Sequence, residues 1–531
     1  MNTSLPMLTK AQDRLGAAAV LVRRGMVDLA RPDHALRAFW AMRRYGAFGG
    51  LTAYTAARYG AAPAITDEDG TISFRQLDET SNALARGLQA NGIRTGETIG
   101  VLNRNHRSVM VTLSAANKIG VRVVLMNTGF AAPQLADVSA RERVSCVLAD
   151  DEFADLLGAL PQESMRIGGR DQLGLIEGQS RSVLPAPSRP GGMVLLTSGT
   201  TGTPKGAPRN RIDPLQSAQL LDRVAWPREG SYCVAAPLFH ATGLATCALG
   251  LALGNRIVLA RRFDPEPTLR SIAAHRSGAL VLVPTMLQRI LDLGPEMLAR
   301  HDTSSLKVIF AAGSALSPDL CRRTADAFGD VLYNLYGSTE VAAAAVATPQ
   351  ELRAAPGTVG RPPVGCRLAC YDEHRRRITE PGRTGTLFVS SGLSFAGYTD
   401  GKNKEIVDEM LSTGDTGHFD ETGLWFVDGR DDDMIVSGGE NVFPLEVENL
   451  LADHPDIVET AVVGVDDVDF GKRLAAYVVK HSAANLDGED IKGYIRSHLA
   501  RHKVPRDVVF VATLPRNETG KVLKSKLEDH Q

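Results

Sequence analysis

Patterned cysteine is missing from this sequence. Cys146, Cys233, Cys247, Cys321, Cys366 and Cys370 are scattered and no CxxC occurs. Cys366 and Cys370 have no second pair nearby, so the spacing of a structural zinc site is absent. Thiols placed in this way read as small buried hydrophobes in a reducing compartment. A surplus of positive charge is also missing: 59 Lys and Arg against 61 Asp and Glu leave a net charge of -2. That balance argues against DNA or RNA as a partner. No apolar run reaches the roughly 18 residues that a spanning helix needs, and the stretch Gly243 to Gly254 reads as a core helix. The chain start lacks the basic, apolar and small-residue succession of a cleavable leader. These absences predict a cytoplasmic globular protein. Its 531 residues, 44% hydrophobic and 23% charged, call for two or more domains.

What is present is concentrated in one decapeptide. Thr197-Ser198-Gly199-Thr200-Thr201-Gly202-Thr203-Pro204-Lys205-Gly206 follows the apolar run Met193 to Leu196. Glycines let a backbone approach an anion closely, and the hydroxyls and the lysine supply donors and positive charge. The segment therefore has the chemistry of a polyphosphate cradle. The P-loop signature GxxxxGK[ST] does not fit, because Lys205 follows Pro204 and precedes Gly206.

The decapeptide resembles the phosphate loop of the adenylate-forming superfamily, and further motifs of that family recur downstream in order. Tyr336-Gly337-Ser338-Thr339-Glu340 resembles the segment whose aromatic ring stacks on adenine and whose glutamate holds magnesium. Asn334 falls where the family presents a side chain to the adenine amino group, and Gly313-Ser314 where a turn covers the other face. Ser412-Thr413-Gly414-Asp415 is similar to the ribose-binding segment, and Gly429-Arg430 to the arginine that also reaches the sugar. Pro515-Arg516-Asn517-Glu518-Thr519-Gly520-Lys521 resembles the C-terminal signature ending in a catalytic lysine. Any one of these alone would be a turn or a solvated loop; their joint order covers the chain from about residue 60 onward.

Patterning supplies the organisation. A hairpin-like Thr66 to Gly70 turn precedes a helix whose start carries the Ser73/Gln76 spacing of a capping box. Short β-rich runs (Thr98 to Leu102, Val121 to Met126, Ser145 to Leu148) alternate with helical segments and resume around Val234, Val281 and Val308, which predicts helix-covered parallel sheets. After Val427 the texture changes to a compact α+β unit: a helix at Leu445 to Leu451, strands at Ile457 to Val465 and Leu474 to Val479, a helix at Glu489 to Ala500 and a strand at Asp507 to Val511. The expected fold is thus α/β. A large N-terminal domain of several subdomains spans 51–431 and a smaller α+β domain spans 432–531; the resemblance implies that the smaller domain is mobile, with its hinge at Asp432. Residues 1–50 form a separate basic, amphipathic helical extension. It is read either as a helix docked on the body or as one lying on an anionic membrane.

The resemblance implies a two-step reaction with ATP, Mg2+ and coenzyme A. A carboxylate displaces pyrophosphate to give an acyl-adenylate, and a thiol then displaces AMP. Thr197 and Glu340 are the implied magnesium ligands, and Lys205 and Lys521 the implied phosphate-facing cations. The loop with Ser437, Gly438 and Gly439 would pass the pantetheine arm once the C-terminal domain has swung. His240 falls at the carboxylate end of the acyl pocket. The segment Pro237 to Gly243 reads PLFHATG, without the aspartate that amino-acid-activating relatives use. The small run Val341 to Val346 and the wall Val283 to Met286 point to a medium- or long-chain fatty acid and resemble bacterial fatty acyl-CoA synthetases. An acyl-AMP ligase loading a carrier protein, an aryl-CoA synthetase and a silent acyl-nucleotide sensor are the other readings. A homodimer and peripheral membrane contact through residues 1–50 stay open.

Overall fold

The computed structural model describes residues 4–196, 204–209, 217–391, 397–399, 403–431, 435–437, 440–467, 471–482, 484–517 and 520–528. Four sheets organise the chain. The largest has eight strands, in the order Ala345–Ala347, Leu332–Tyr336, Val308–Ala312, Ala279–Leu282, Ser231–Val234, Arg256–Val258, Pro63–Asp67 and Gly70–Ser73. Its inner pairings are parallel and only its two outermost strands run antiparallel. The inner strands are apolar throughout (VIFAA, ALVL, SYCV) and fully buried, as strands covered by helices on both faces must be.

A second sheet runs Met165–Ile167, Val144–Ala149, Thr98–Leu102, Arg122–Leu125, Met193–Leu196 and Gly206–Arg209, parallel except for its last strand. The α/β alternation read in the sequence is therefore what forms. A third sheet is antiparallel and carries Met410–Phe419 paired with Trp425–Arg430. The fourth holds Ile435–Ser437, Glu440–Val442, Ile457–Asp467, Gly471–Lys480 and Asp507–Phe510, flanked by helices Pro444–Ala452 and Gly488–His498.

Local signals act as expected. Ser73 accepts from the Gln76 amide at 3.1 Å while the Gln76 side chain accepts from Ser73 N at 2.8 Å, a reciprocal cap worth about 1 kcal/mol. The helix after it buries Phe74, Leu77, Leu84 and Leu88. The apolar stretch at Gly243 lies in the core helix Ala241–Ala252. All six cysteines are free and buried, and burial pushes the thiols of Cys146, Cys233 and Cys247 up to about 12. Among the described residues no helix is long and apolar enough to cross a membrane.

The N-terminal segment forms two helices, α1 (Ser4–Arg23) and α2 (Pro32–Tyr59). Ala17, Val20 and Leu21 of α1 are buried, and its flanks are tied by Asp13–Arg367 at 2.7 Å and Arg23–Asp222 at 2.9 Å. Helix α1 is docked. Helix α2 does not end at residue 50: it kinks at Gly46 (φ 75°) and runs on to Tyr59, burying Phe48, Leu51 and Tyr54. Its first half behaves otherwise, with Leu36, Phe39 and Trp40 exposed.

Candidate active site

Parallel α/β sheets place ligands beyond the carboxyl ends of their strands. Four neighbouring strands of the large sheet obey this rule. Pro237–His240 follows Ser231–Val234, Pro284–Met286 follows Ala279–Leu282, Gly313–Ser314 follows Val308–Ala312, and Gly337–Glu340 follows Leu332–Tyr336. A cleft of about 850 Å³ opens there, lined by Pro237, Phe239, Thr285, Met286 and Ser314 on one side and by Glu448, Arg516, Asn517, Gly520 and Lys521 on the other.

The position of Lys521 depends on its glycine neighbour. Gly520 has φ +77°, and a Cβ there would lie 2.2 Å from Thr285 Oγ1, so only glycine lets the C-terminal loop lie against this wall. The turn is closed by Asn517, whose amide nitrogen donates to the Lys521 carbonyl at 2.9 Å and whose side-chain oxygen accepts from Lys521 N at 2.9 Å.

A second group of residues forms a polar cluster that is not part of the lining of that cleft. The Tyr336 hydroxyl donates to Asp415 Oδ2 at 2.6 Å, and Arg430 Nη1 lies 3.9 Å from Asp415 Oδ1. Asp415 and Arg430 meet because they are register partners on antiparallel strands. Burial pushes the Asp415 carboxyl up, opposed by the Tyr336 hydrogen bond and by the charges of Arg430, Lys404 and Lys521. The net shift is upward. Lys404 carries none of the motifs, yet its Nζ donates to the Thr413 carbonyl at 2.7 Å and its charge bears on both Asp415 and Glu340.

Glu340 anchors a third group. Its Oε1 accepts from the Tyr398 hydroxyl at 2.6 Å, and Lys205 Nζ lies 5.1 Å from the centre of the Tyr398 ring. Burial pushes the Glu340 carboxyl up, but hydrogen bonds from Tyr398 and Ser338 outweigh it and hold the group below its ordinary value. The carboxylate is therefore charged at neutral pH. Ser338 Oγ accepts from the amides of Glu340 and Val341, and Thr339 lies between them in the same turn. A Cβ on Gly337 would meet the Ala342 carbonyl at 1.8 Å, so the turn requires glycine. Asn334 is buried and donates to the Thr358 carbonyl at 3.3 Å, which leaves its side-chain oxygen to accept from an amino group.

His240 opens the helix Ala241–Ala252, its ring tilted against that of Phe239 with centroids 4.6 Å apart. Its Nε2 is buried without a hydrogen-bond partner among the described residues, and burial pushes its pKa down to about 4. A buried imidazole atom left unpaired is costly, and a carboxylic substrate would pair it. The unfolded histidine takes up its proton near 6.5 and the folded one near 4. Between those values the unfolded chain binds a proton that the folded chain refuses, so stability falls on acidification by up to about 3 kcal/mol. His240→Asn is expected to flatten that stretch of the stability profile, as read by melting temperature against pH. Gly243 sets the helix start, since a Cβ there would lie 2.3 Å from the Pro237 carbonyl. Gly243→Ala is expected to cost about 1–3 kcal/mol and to raise KM for the acid, measured by melting and by initial rates.

The run Val341 to Val346 requires a correction. Val341, Ala344 and Ala345 pack into the core with Cys366, Leu368 and Leu387, and Val346 sits among other core side chains. These small residues fill the protein's own interior and are not part of the cleft wall. Thr197, Ser198, Gly199, Thr200, Thr201, Gly202 and Thr203 lie outside the described residues, as do Asp432, Gly438 and Gly439. Ser437 ends the strand Ile435–Ser437, paired with Glu440.

Residues 52–399 match the AMP-binding enzyme family, and residues 446–521 match the AMP-binding enzyme C-terminal domain. The chain belongs to this family. It is 30% identical to the indoleacetate–CoA ligase of Aromatoleum aromaticum over 87% of this chain and 93% of that one. It is 29% identical to the 2-succinylbenzoate–CoA ligase of Bacillus pumilus over 88% and 94%. The o-succinylbenzoate CoA synthetase of Bacillus subtilis, solved with its acyl-adenylate intermediate, superposes with a TM-score of 0.80 at 25% identity, covering 91% of this chain and 98% of that one.

As an AMP-binding enzyme the chain is an AMP-forming ligase that uses ATP. Its magnesium would find one hard, ionised oxygen ligand in Glu340. No cluster of three or more His, Cys, Asp or Glu that could hold a metal ion occurs among the described residues. Lys404 and Tyr398 are the two site residues that motif reading missed. Both belong to the stretch between Ser391 and Ser412, which carries no recognisable pattern.

Proposed function

We propose that this AMP-binding enzyme joins an apolar carboxylic acid to coenzyme A through an acyl-adenylate. The observation that carries the reading is the seating of Gly520 and Lys521 against Thr285, at the strand ends where Ser314 and Phe239 face the same cleft. There the Lys521 ammonium neutralises charge as the carboxylate approaches the α-phosphate, an attack of anion on anion that is slow without it. Lys205 faces the departing phosphates, Asp415 and Arg430 hold the ribose, and the Tyr336 ring supports the adenine. Magnesium bound at Glu340 would add charge neutralisation. His240, uncharged at neutral pH, orients the carboxylate through Nε2. In the second step the thiol of coenzyme A adds to the activated carbonyl and AMP departs with the bonding electrons. Withdrawal of Lys521 on a swing of the C-terminal domain about Asp432 fits a cation needed in one half-reaction only.

For the acid we place a medium- or long-chain fatty acid first. Ala235, Phe239, Phe263, Pro284 and Met286 give the cleft an apolar side, and Pro237 to Gly243 offers no acid to an ammonium group. An aromatic acid is the second reading, supported by the names of the relatives. Acid-dependent pyrophosphate release across alkanoates, benzoates, aryl acetates and amino acids, with and without coenzyme A, tests both. Release with alkanoates above the others, and thioester only with coenzyme A, is the expected result. Preference for an amino acid would overturn the assignment of the acid, and acyl transfer to a carrier protein but not to coenzyme A would overturn that of the acceptor.

A further inference from the structure

Large apolar side chains are unevenly exposed on this molecule. Of the described residues, the exposed ones are Leu15, Val22, Leu29, Leu36, Phe39, Trp40, Leu173, Val183, Ile406, Val509 and Phe510. More than half of these lie between Leu15 and Trp40. The densest group is at the N-terminal half of α2: Leu36 is 63%, Phe39 52% and Trp40 60% exposed, with Leu29 of the preceding turn at 73%. Residues 36, 39 and 40 stand at i, i+3 and i+4 and therefore share one helix face. Phe39 and Trp40 pack edge to face at 5.6 Å and so present one aromatic ridge.

Charge frames the ridge. From Leu29 to Arg44 the chain carries Arg31, Arg37, Arg43 and Arg44 against the single acid Asp33. Arg31 and Arg37 are 57% and 67% exposed and share Asp33, at 3.1 and 3.8 Å, and Arg43 is exposed as well. Arg44 is exposed too, with one guanidinium nitrogen donating to the Leu184 carbonyl at 2.9 Å. Much of the rest of the extension is packed: α1 is buried along Ala17, Val20 and Leu21, though Leu15 and Val22 stay exposed, and α2 beyond Gly46 is buried along Phe48, Leu51 and Tyr54. What remains is a short amphipathic face between two packed ends, with Leu36, Phe39 and Trp40 along its crest, Arg43 one turn further along the same face and Arg37 beside it.

We propose that this face, from Leu29 to Arg43, docks the enzyme on an anionic lipid bilayer. Leu, Phe and Trp on one side of a helix with arginines beside them is the composition of helices that lie in the membrane interface. Tryptophan prefers that depth because its ring is apolar and its N–H is wet. The arginines meet anionic headgroups while their stems follow the apolar layer. The two anchored ends mean that little chain has to be ordered on binding, which lowers the entropic cost.

The protein supplies its own probe. Trp226 and Trp425 are only 7% and 9% exposed, so Trp40 is the one tryptophan that vesicles can reach. The test uses the full chain with vesicles of phosphatidylcholine alone or mixed with phosphatidylglycerol, read by co-sedimentation and tryptophan emission. Binding to the anionic vesicles at low salt, release at high salt and a blue shift that Trp40→Phe abolishes are expected. Phe39→Ser with Trp40→Ser, and separately Arg37→Glu with Arg43→Glu, should each lower the partition coefficient by about tenfold or more, with ligase activity in vesicle-free buffer unchanged. Equal binding to neutral and anionic vesicles, or equal binding by wild type and variants, would overturn the proposal. So would a dimer that Phe39→Ser with Trp40→Ser dissociates while vesicle binding persists, since the face would then belong to a second copy of the chain.

Discussion

Lys521→Ala is expected to slow acid-dependent pyrophosphate release by roughly 10² to 10³, the scale of one preorganised charge-stabilising donor. Conversion of supplied acyl-AMP and coenzyme A to thioester should stay within about twofold of wild type. The asymmetry follows from placement. Lys521 lines the cleft beside Thr285 and Ser314 and its charge bears on Asp415, the residue to which the proposed function gives the ribose. The first half-reaction brings two anions together; the second ejects one and has no need of that cation. Equal losses in both half-reactions would refute the assignment. Gly520→Ala checks it without touching the ammonium. A Cβ at 2.2 Å from Thr285 Oγ1 and a φ of +77° must lift the loop off its wall, and the same one-sided loss should appear at roughly tenfold or more. Thr285→Ser, which keeps Oγ1, is not expected to relieve it.

The contrast between Lys521 and Lys404 shows what a sequence can display. Lys521 ends a recognisable heptapeptide, and the four strand-end segments follow apolar runs whose β character is plain, so fold and cleft were largely legible. Lys404 sits in an unpatterned stretch and acquires meaning only because Nζ reaches the Thr413 carbonyl. Tyr398 is likewise invisible until its hydroxyl meets Glu340. The Asp415–Arg430 pair depends on antiparallel register, shifted between Thr416 and Gly417 by an irregularity that no local pattern encodes. Small apolar residues misled for a related reason. A run such as Val341 to Val346 reads the same whether it borders a pocket or fills a core, and only packing separates the two. The boundary at residue 50 falls inside α2, which continues through the Gly46 kink into its buried half.

Asp415→Asn should lower kcat/KM for ATP by roughly 10² to 10³ while changing KM for the acid little. Hydrogen bonds to a charged acceptor contribute about 1.5–3 kcal/mol each, and a carboxylate that takes both ribose hydroxyls, as the proposed function has Asp415 do, accepts two. The isosteric amide keeps the volume and one acceptor but loses the charge that Arg430 and Lys404 are arranged around. Tyr336→Phe, which removes only the hydroxyl that holds Oδ2 at 2.6 Å, should cost about tenfold or less. Because burial raises the Asp415 carboxyl above its ordinary value, it takes up its proton earlier on acidification than an exposed aspartate. The wild-type affinity for ATP should then fall from a higher pH than an ordinary carboxylate would give, and the Asn variant should lack that limb. A nucleotide cycle separates ribose binding from general damage. ATP lacking both ribose hydroxyls should be as poor a substrate for the wild type as ATP is for Asp415→Asn, and the variant should lose little more on going from ATP to the dideoxy analogue. Fully additive losses would place Asp415 away from the sugar, leaving it to act only by balancing the charges of Arg430 and Lys404.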